Sequence, residues 1–101
     1  MEIIITSDAL RRLANQLDFL YEELSYSKKK IIDIEQMLLS NAYNLKFNPR
    51  IGQFEGELSH LNKGYRRIIV GKFKIIYRIE KNTVHVTDFF DTRQEPSKIK
   101  A

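Results

Sequence analysis

Residues 65–90 read YRRIIVGKFKIIYRIEKNTVHVTDFF. Three runs rich in Ile, Val, Tyr, Phe and Thr lie here: Tyr65–Val70, Phe73–Glu80 and Thr83–Phe90. Gly71-Lys72 separates the first two, and Lys81-Asn82 the last two. β-Branched and aromatic runs bounded by two-residue turn signals predict strands joined as hairpins. Gly followed by another residue fits a type II′ turn, whose hand matches the twist of the flanking strands. The prediction is an antiparallel three-stranded meander, closed by Gln94-Glu95-Pro96 and followed by a polar tail over 97–101.

Tight turns also set register, and side chains alternate between faces along a strand. Val70 should face Phe73, Ile68 should face Ile75, and Arg66 should face Tyr77. Across the second turn, Ile79 should face Val84 and Tyr77 should face Val86. That pairing gathers Ile68, Val70, Phe73, Ile75, Tyr77, Ile79, Val84, Val86 and Phe90 on a core side. The opposite side carries Tyr65, Arg67, Ile69, Lys74, Ile76, Arg78, His85, Thr87 and Phe89, with Arg93 joining if the strand continues. Cations, a His and aromatics on one open face suit phosphate and stacked bases, or an acidic, apolar peptide. The plain alternative is a solvated face with Glu80 and Asp91 as local salt partners. Exposed Ile69, Ile76 and Phe89 argue against it, because water gives no reason to place them there.

The N-terminal half supplies a cover. Residues 2–6 are short and β-branched, as in a first strand. Leu10, Leu13, Leu17, Leu20 and Leu24 recur at helical spacing, and Thr6 or Ser7 is a suitable N-cap. Ser25-Tyr26-Ser27 breaks the pattern. A second helix runs through Ile31, Ile34, Leu38, Ala42 and Leu45, so the two helices should form an antiparallel hairpin. Lys28-Lys29-Lys30 opens that second helix at the end where the macrodipole disfavours cations. The triplet is either a solvated face or a phosphate-facing patch. Residues 46–64, punctuated by Pro49, Gly52, Gly56 and Gly64, should form an ordered loop anchored by Phe54, Leu58 and Leu61, with room for a turn of helix. The fold class that follows is α+β, one domain over 1–101, with a helix hairpin packed on a meander sheet.

Bulk composition narrows function. The chain of 101 residues is 43% hydrophobic, carries net charge +4 and has no cysteine. Disulfides, thiolate chemistry and cysteine-type zinc sites are excluded. The two His are isolated from any carboxylate cluster, so no metal site is expected. No Gly-rich phosphate loop and no cofactor motif appear. No apolar run approaches the roughly 20 residues of a membrane span, and the N-terminus lacks a basic signal region. The expected location is the cytoplasm, and the basic balance favours an anionic partner.

Gly64 through Ile79 resembles the central hairpin of RelE/ParE toxins. Val86-Thr87-Asp88-Phe89-Phe90-Asp91-Thr92-Arg93-Gln94-Glu95-Pro96 resembles their last strand and its Arg-containing exit. The N-terminal strand and helix hairpin also fit, so the resemblance spans nearly the whole chain. It implies a bacterial toxin made beside a cognate antitoxin, which wraps the toxin with a helix and an extended segment. ParE-like members poison DNA gyrase. RelE-like members cut messenger RNA on the ribosome.

RNA cleavage through the 2′-hydroxyl needs a base, an acid and cations for the phosphorane charge. The RelE-like pattern implies Lys74 and Arg93 as charge donors, with Arg78 beside them, and a C-terminal Tyr for proton transfer. No Tyr follows Arg93. His85 is the available substitute by its ordinary pKa, although a strand His beside Arg78 is more often a plain sheet residue. The missing Tyr and the Thr92–Pro96 exit tilt the reading toward gyrase inhibition, with ribosome-dependent cleavage as the alternative. A third reading is a toxin remnant that only binds its antitoxin. The implied binding surface is Tyr65, Arg67, Ile69, Lys74, Ile76, Arg78, Phe89 and Arg93.

Overall fold

A computed structural model describes residues 1–101. Strand β1 (Glu2–Ile5) leads into helix α1 (Ser7–Glu22), and α2 (Lys28–Asn44) follows after five linking residues. Thr6 Oγ1 accepts from the Ala9 amide at 3.0 Å and Ser27 Oγ from the Lys30 amide at 3.1 Å, so each helix begins at a side-chain N-cap. A short β2 (Gln53–Phe54) and a 3₁₀ turn (Gly56–Leu61) precede β3 (Arg66–Val70), β4 (Phe73–Glu80) and β5 (Thr83–Asp91). A second 3₁₀ turn covers Pro96–Lys98. The five strands form one mixed sheet in the order β1-β5-β4-β3-β2, antiparallel except for the β1–β5 pair.

The predicted register holds from Arg66 through Val86. Arg66 pairs with Tyr77, Ile68 with Ile75, Val70 with Phe73, Tyr77 with Val86 and Ile79 with Val84. Gly71 has φ +59°, and the residue after it keeps negative φ, as a type II′ turn requires. Lys81 occupies the equivalent position of the second turn at φ +56°, where a Cβ is sterically disfavoured.

Beyond Val86 the register shifts. Ile76 pairs with Asp88 and Tyr77 with Val86, which leaves Thr87 as the extra residue of a β-bulge. One inserted residue turns everything after it to the opposite face. Phe89, expected on the open side, is fully buried in the main core, and Phe90, expected in the main core, lies in a separate small cluster. Thr87 is itself buried, and its hydroxyl has no hydrogen-bond partner.

Helix α1 packs along β5 and buries Ala9, Leu13, Leu17 and Leu20; α2 buries Leu38 and Ala42, with Leu45 at its cap. They cover Ile75, Tyr77, Val84, Val86 and Phe89. Full burial of each large apolar side chain contributes about 1.5–3 kcal/mol. Leu10 and Leu24, assigned to the same stripe from the sequence, are exposed. Ala9 takes the inward position next to Leu10, and Leu24 lies beyond the helix end.

α1 also completes the sheet. β1 pairs only with Thr83–Val86, so the outer edge of β5 beyond that point has no strand. Arg12 and Gln16, one turn apart, take its place. Gln16 Nε2 donates to the Phe89 carbonyl at 2.5 Å, and Gln16 Oε1 accepts from the Asp91 amide at 2.8 Å. Arg12 donates to the Thr87 carbonyl and pairs with buried Asp88 at 2.9 Å.

The other face is not open. Leu58 of the 3₁₀ turn, Tyr65, Ile76, Phe90 and Ile99 form a second buried cluster. The tail over 97–101 therefore docks, and the Lys100 amide donates to Asp88 Oδ2 at 3.0 Å. The long connection is anchored as well. Tyr77 Oη donates to the Pro49 carbonyl at 2.7 Å and accepts from the Gly52 amide at 2.9 Å. A Cβ at Gly52 would sit 2.6 Å from both the Arg67 carbonyl and Tyr77 Oη.

Candidate functional site

The residues assigned to one binding face separate into three groups. Tyr65, Ile76 and Phe89 are 6%, 0% and 0% exposed. They are core residues and present nothing to a partner. The strap of Leu58 and Ile99 covers the first two, and the bulge turns the third inward. Ile69 is 67% exposed and stays available.

The second group is the basic residues of that face. Lys74 Nζ lies 3.2 Å from Glu55 Oε1, and Arg67 Nη1 lies 3.8 Å from the same oxygen. Glu55 is buried, and its second oxygen accepts from the Glu57 amide at 3.0 Å. Arg67 also donates to the Phe54 carbonyl at 2.6 Å and Gln53 Oε1 at 3.2 Å. Arg78 pairs with Glu80 and holds the Glu80 carboxyl below its usual pKa through that hydrogen bond. His85 is half-buried between Ile4 and Arg78 in the sheet. These cations are thus engaged within the chain. Glu55 is invisible as a partner in the sequence, because a lone carboxylate in an irregular loop carries no periodic signal.

Arg93 forms the third group. β5 ends at Asp91, so Arg93 never joins the face of Lys74 and Arg78. Its guanidinium folds back to Asp91, with Nε 3.0 Å from Oδ1 and Nη2 2.6 Å from Oδ2, and Nη1 donates to Tyr26 Oη at 3.3 Å. Tyr26 sits in the link between the helices, on the helix side of the sheet. Burial pushes the Asp91 carboxyl up in pKa. The side-chain and backbone hydrogen bonds from Arg93, with its charge, outweigh that and hold it low. The hydrogen bond from Arg93 likewise lowers the Tyr26 phenol, aided by the charges of Arg93, Lys72 and Lys30. Lys30 Nζ stands 4.5 Å from the centroid of the Tyr26 ring.

The structure therefore does not bring Lys74, Arg78, His85 and Arg93 into one constellation. Lys74 and Arg78 are four residues apart on β4, about 13 Å along a strand, and Arg93 lies past the Phe73 end of β4 on the opposite side of the sheet. What it does bring together is Tyr26, Lys30, Lys72 and Arg93 around one cavity. In the sequence Tyr26 belongs to a helix break and Lys72 to a two-residue turn, and neither position signals a site.

A larger cleft of about 440 Å³ lies where α2 meets β3, lined by Leu45, Ile51, Arg67 and Ile69 among others. Phe47, Ile51, Phe54 and Ile69 are all more than half exposed around this edge of the sheet. β2 pairs only with Arg66 and Arg67, so the outer edge of β3 from Ile68 to Val70 has no strand partner. An unpaired edge beside apolar side chains is a template for an added strand. No helix is long and apolar enough to cross a membrane.

Comparison with known proteins assigns this arrangement. Among curated proteins, a search by sequence finds no match. A solved structure described as "Chromosomal ParDE TA system from P. aeruginosa" superposes with a TM-score of 0.72 at 14% identity, covering 90% of this chain and 95% of the other. At that identity the likeness shows the fold: the strand, helix hairpin and meander. Sequence supplies the family, for residues 3–96 match the model described as "ParE toxin of type II toxin-antitoxin system, parDE". That match takes in β1, both helices and the meander through the turn of Arg93, and the chain belongs to the ParE toxin family of type II toxin-antitoxin systems.

Proposed function

We infer that the protein is a cytoplasmic toxin that inhibits DNA gyrase and is neutralised by a cognate antitoxin. The observation that carries this reading is the dispersal of the basic residues. A ribonuclease of the RelE type needs cations and a proton-transfer group converging on one phosphate. Here Lys74 is held by Glu55 and Arg78 by Glu80, while Arg93 turns to the other side of the sheet. Family membership points the same way.

The cleft beside β3 is the seat that suits the antitoxin. An extended segment adding to Ile68–Val70 would satisfy the unpaired edge, and its apolar side chains would cover Ile51 and Ile69. Incubation of the purified protein with gyrase and relaxed plasmid should abolish supercoiling or trap cleaved DNA, and added antitoxin should restore activity. Full supercoiling in the presence of excess toxin, together with codon-phased cuts in messages from induced cells, would replace this reading with ribosome-dependent cleavage.

A further inference from the structure

The cavity between the helix link and the β3–β4 turn gathers basic and phenolic side chains that no pairing within the sheet explains. Its volume is about 180 Å³, and Leu20, Ile34, Met37 and Phe73 form its apolar wall. Its polar lining comes from four residues on separate elements: Tyr26 before α2, Lys30 in the first turn of α2, Lys72 in the β3–β4 turn, and Arg93 after β5.

Each of these groups offers a donor. The Tyr26 oxygen already accepts from Arg93 Nη1, which leaves its O–H to point elsewhere. Arg93 spends Nε and one Nη2 hydrogen on Asp91, so one N–H of each terminal nitrogen remains. Lys30 and Lys72 form no ion pair at all. Asp91 balances Arg93, and the two lysines leave the cavity with two uncompensated positive charges. The lysine triplet of α2 becomes intelligible in part. Lys29 is matched by Asp33 at 2.8 Å, whereas Lys30 opposes the helix dipole without a carboxylate in return.

We propose that this cavity binds a phosphate group, supplied by a nucleic-acid backbone or by a free nucleotide. A carboxylate is planar and offers one charge, and Asp91 already fills the flat fork of Arg93. The remaining donors come from three separate elements and carry two charges, which suits a tetrahedral phosphate, whether a backbone diester with two free oxygens or a nucleotide monoester with three. The lowered phenol of Tyr26 reports the same positive field. This site stands independently of the gyrase reading.

The test is a titration of the isotopically labelled full chain, followed by NMR. Inorganic phosphate should shift the signals of Lys30, Lys72 and Arg93 in a saturable way that weakens with added salt. Lys30→Ala and Lys72→Ala, both at exposed positions, should each weaken binding by about fivefold or more, and Lys30→Arg should restore most of it. Tyr26→Phe keeps the ring beneath Lys30 and should weaken binding about threefold. In the same titration, adenosine 5′-monophosphate and a short single-stranded oligonucleotide separate the two sources. Tighter binding of the oligonucleotide assigns the site to a backbone phosphate, and tighter binding of the nucleotide assigns it to a free ester. Poly-glutamate shifting the same signals at equal or lower concentration would overturn the proposal in favour of an acidic peptide. Absence of saturation, or affinities unchanged in both lysine variants, would overturn it outright.

Discussion

The two faces of the sheet are covered in different ways. On one side, two capped helices of 16 and 17 residues pack with the sheet into a cluster of fourteen buried side chains. On the other, a 3₁₀ turn and the tail add Leu58 and Ile99 to a cluster of five. The first cover is a regular, periodic object that holds itself together by its own backbone hydrogen bonds. The second consists of irregular segments held by single anchors: Leu58, Ile99, and the contacts of Asp88 and Glu55. The difference teaches that a face counted as exposed from strand alternation alone can still be buried, provided distant chain returns to it.

Thr87 is where the two faces exchange β5, so removing it should have the largest effect. Deleting Thr87 would send Phe89 out of the main core and Phe90 into it, reversing the four buried positions Asp88–Asp91 of β5 at once. A chain without a cooperative thermal transition is the expected outcome. A variant that melts like the parent would show that the bulge does not set the faces. Next come the two phenylalanines themselves. Phe89→Ala should destabilise by about 4 kcal/mol and Phe90→Ala by about 2–3 kcal/mol in urea melts, because the thinner strap relaxes into its cavity more readily. Equal losses would mean that both covers are equally rigid.

A smaller effect separates the ends of β5 by pH. Asp91 is held below its unfolded pKa by Arg93, so its contribution is present above the usual carboxylate range and lost as pH falls through the folded value. Arg93→Ala should therefore cost about 1 kcal/mol at neutral pH and much less once the pH has fallen below the folded value of Asp91, since a protonated Asp91 no longer needs the guanidinium. A penalty independent of pH would assign the loss to packing instead. Smallest is Thr87→Val. It keeps the shape and β-branching and removes a buried hydroxyl that has no partner, and it should raise stability by about 1 kcal/mol. A loss instead would reveal a hydrogen bond at that hydroxyl.

The meander was legible because its turns are two residues long and chemically distinct. Gly71-Lys72 and Lys81-Asn82 fixed pairing from Arg66 to Val86 without reference to the rest of the chain. Alternation failed at Thr87, where the hydrophobic pattern Val-Thr-Asp-Phe-Phe fits either parity and only the partner Ile76 selects one. Strand β1 was visible as a β-branched run, but its parallel pairing with β5 depends on the helix crossover between them. The site was less legible still. The cations of β3 and β4 were found as residue types, yet their pairing with Glu55 comes from a loop that no period describes. Tyr26 and Lys72 lie 46 residues apart, each in a turn, and only the packed fold places them around one cavity with Arg93.

The parallel pair of β1 and β5 has a consequence for when the protein becomes itself. Residues 2–5 leave a ribosome well before the strand they need, Thr83–Val86. Contacts of such sequence separation form late. Until β5 emerges the nascent chain carries an unpaired apolar strand β1, and the complete sheet arises only when synthesis has passed β5. The closed sheet, and every surface that depends on it, therefore comes into being only once β5 has been made.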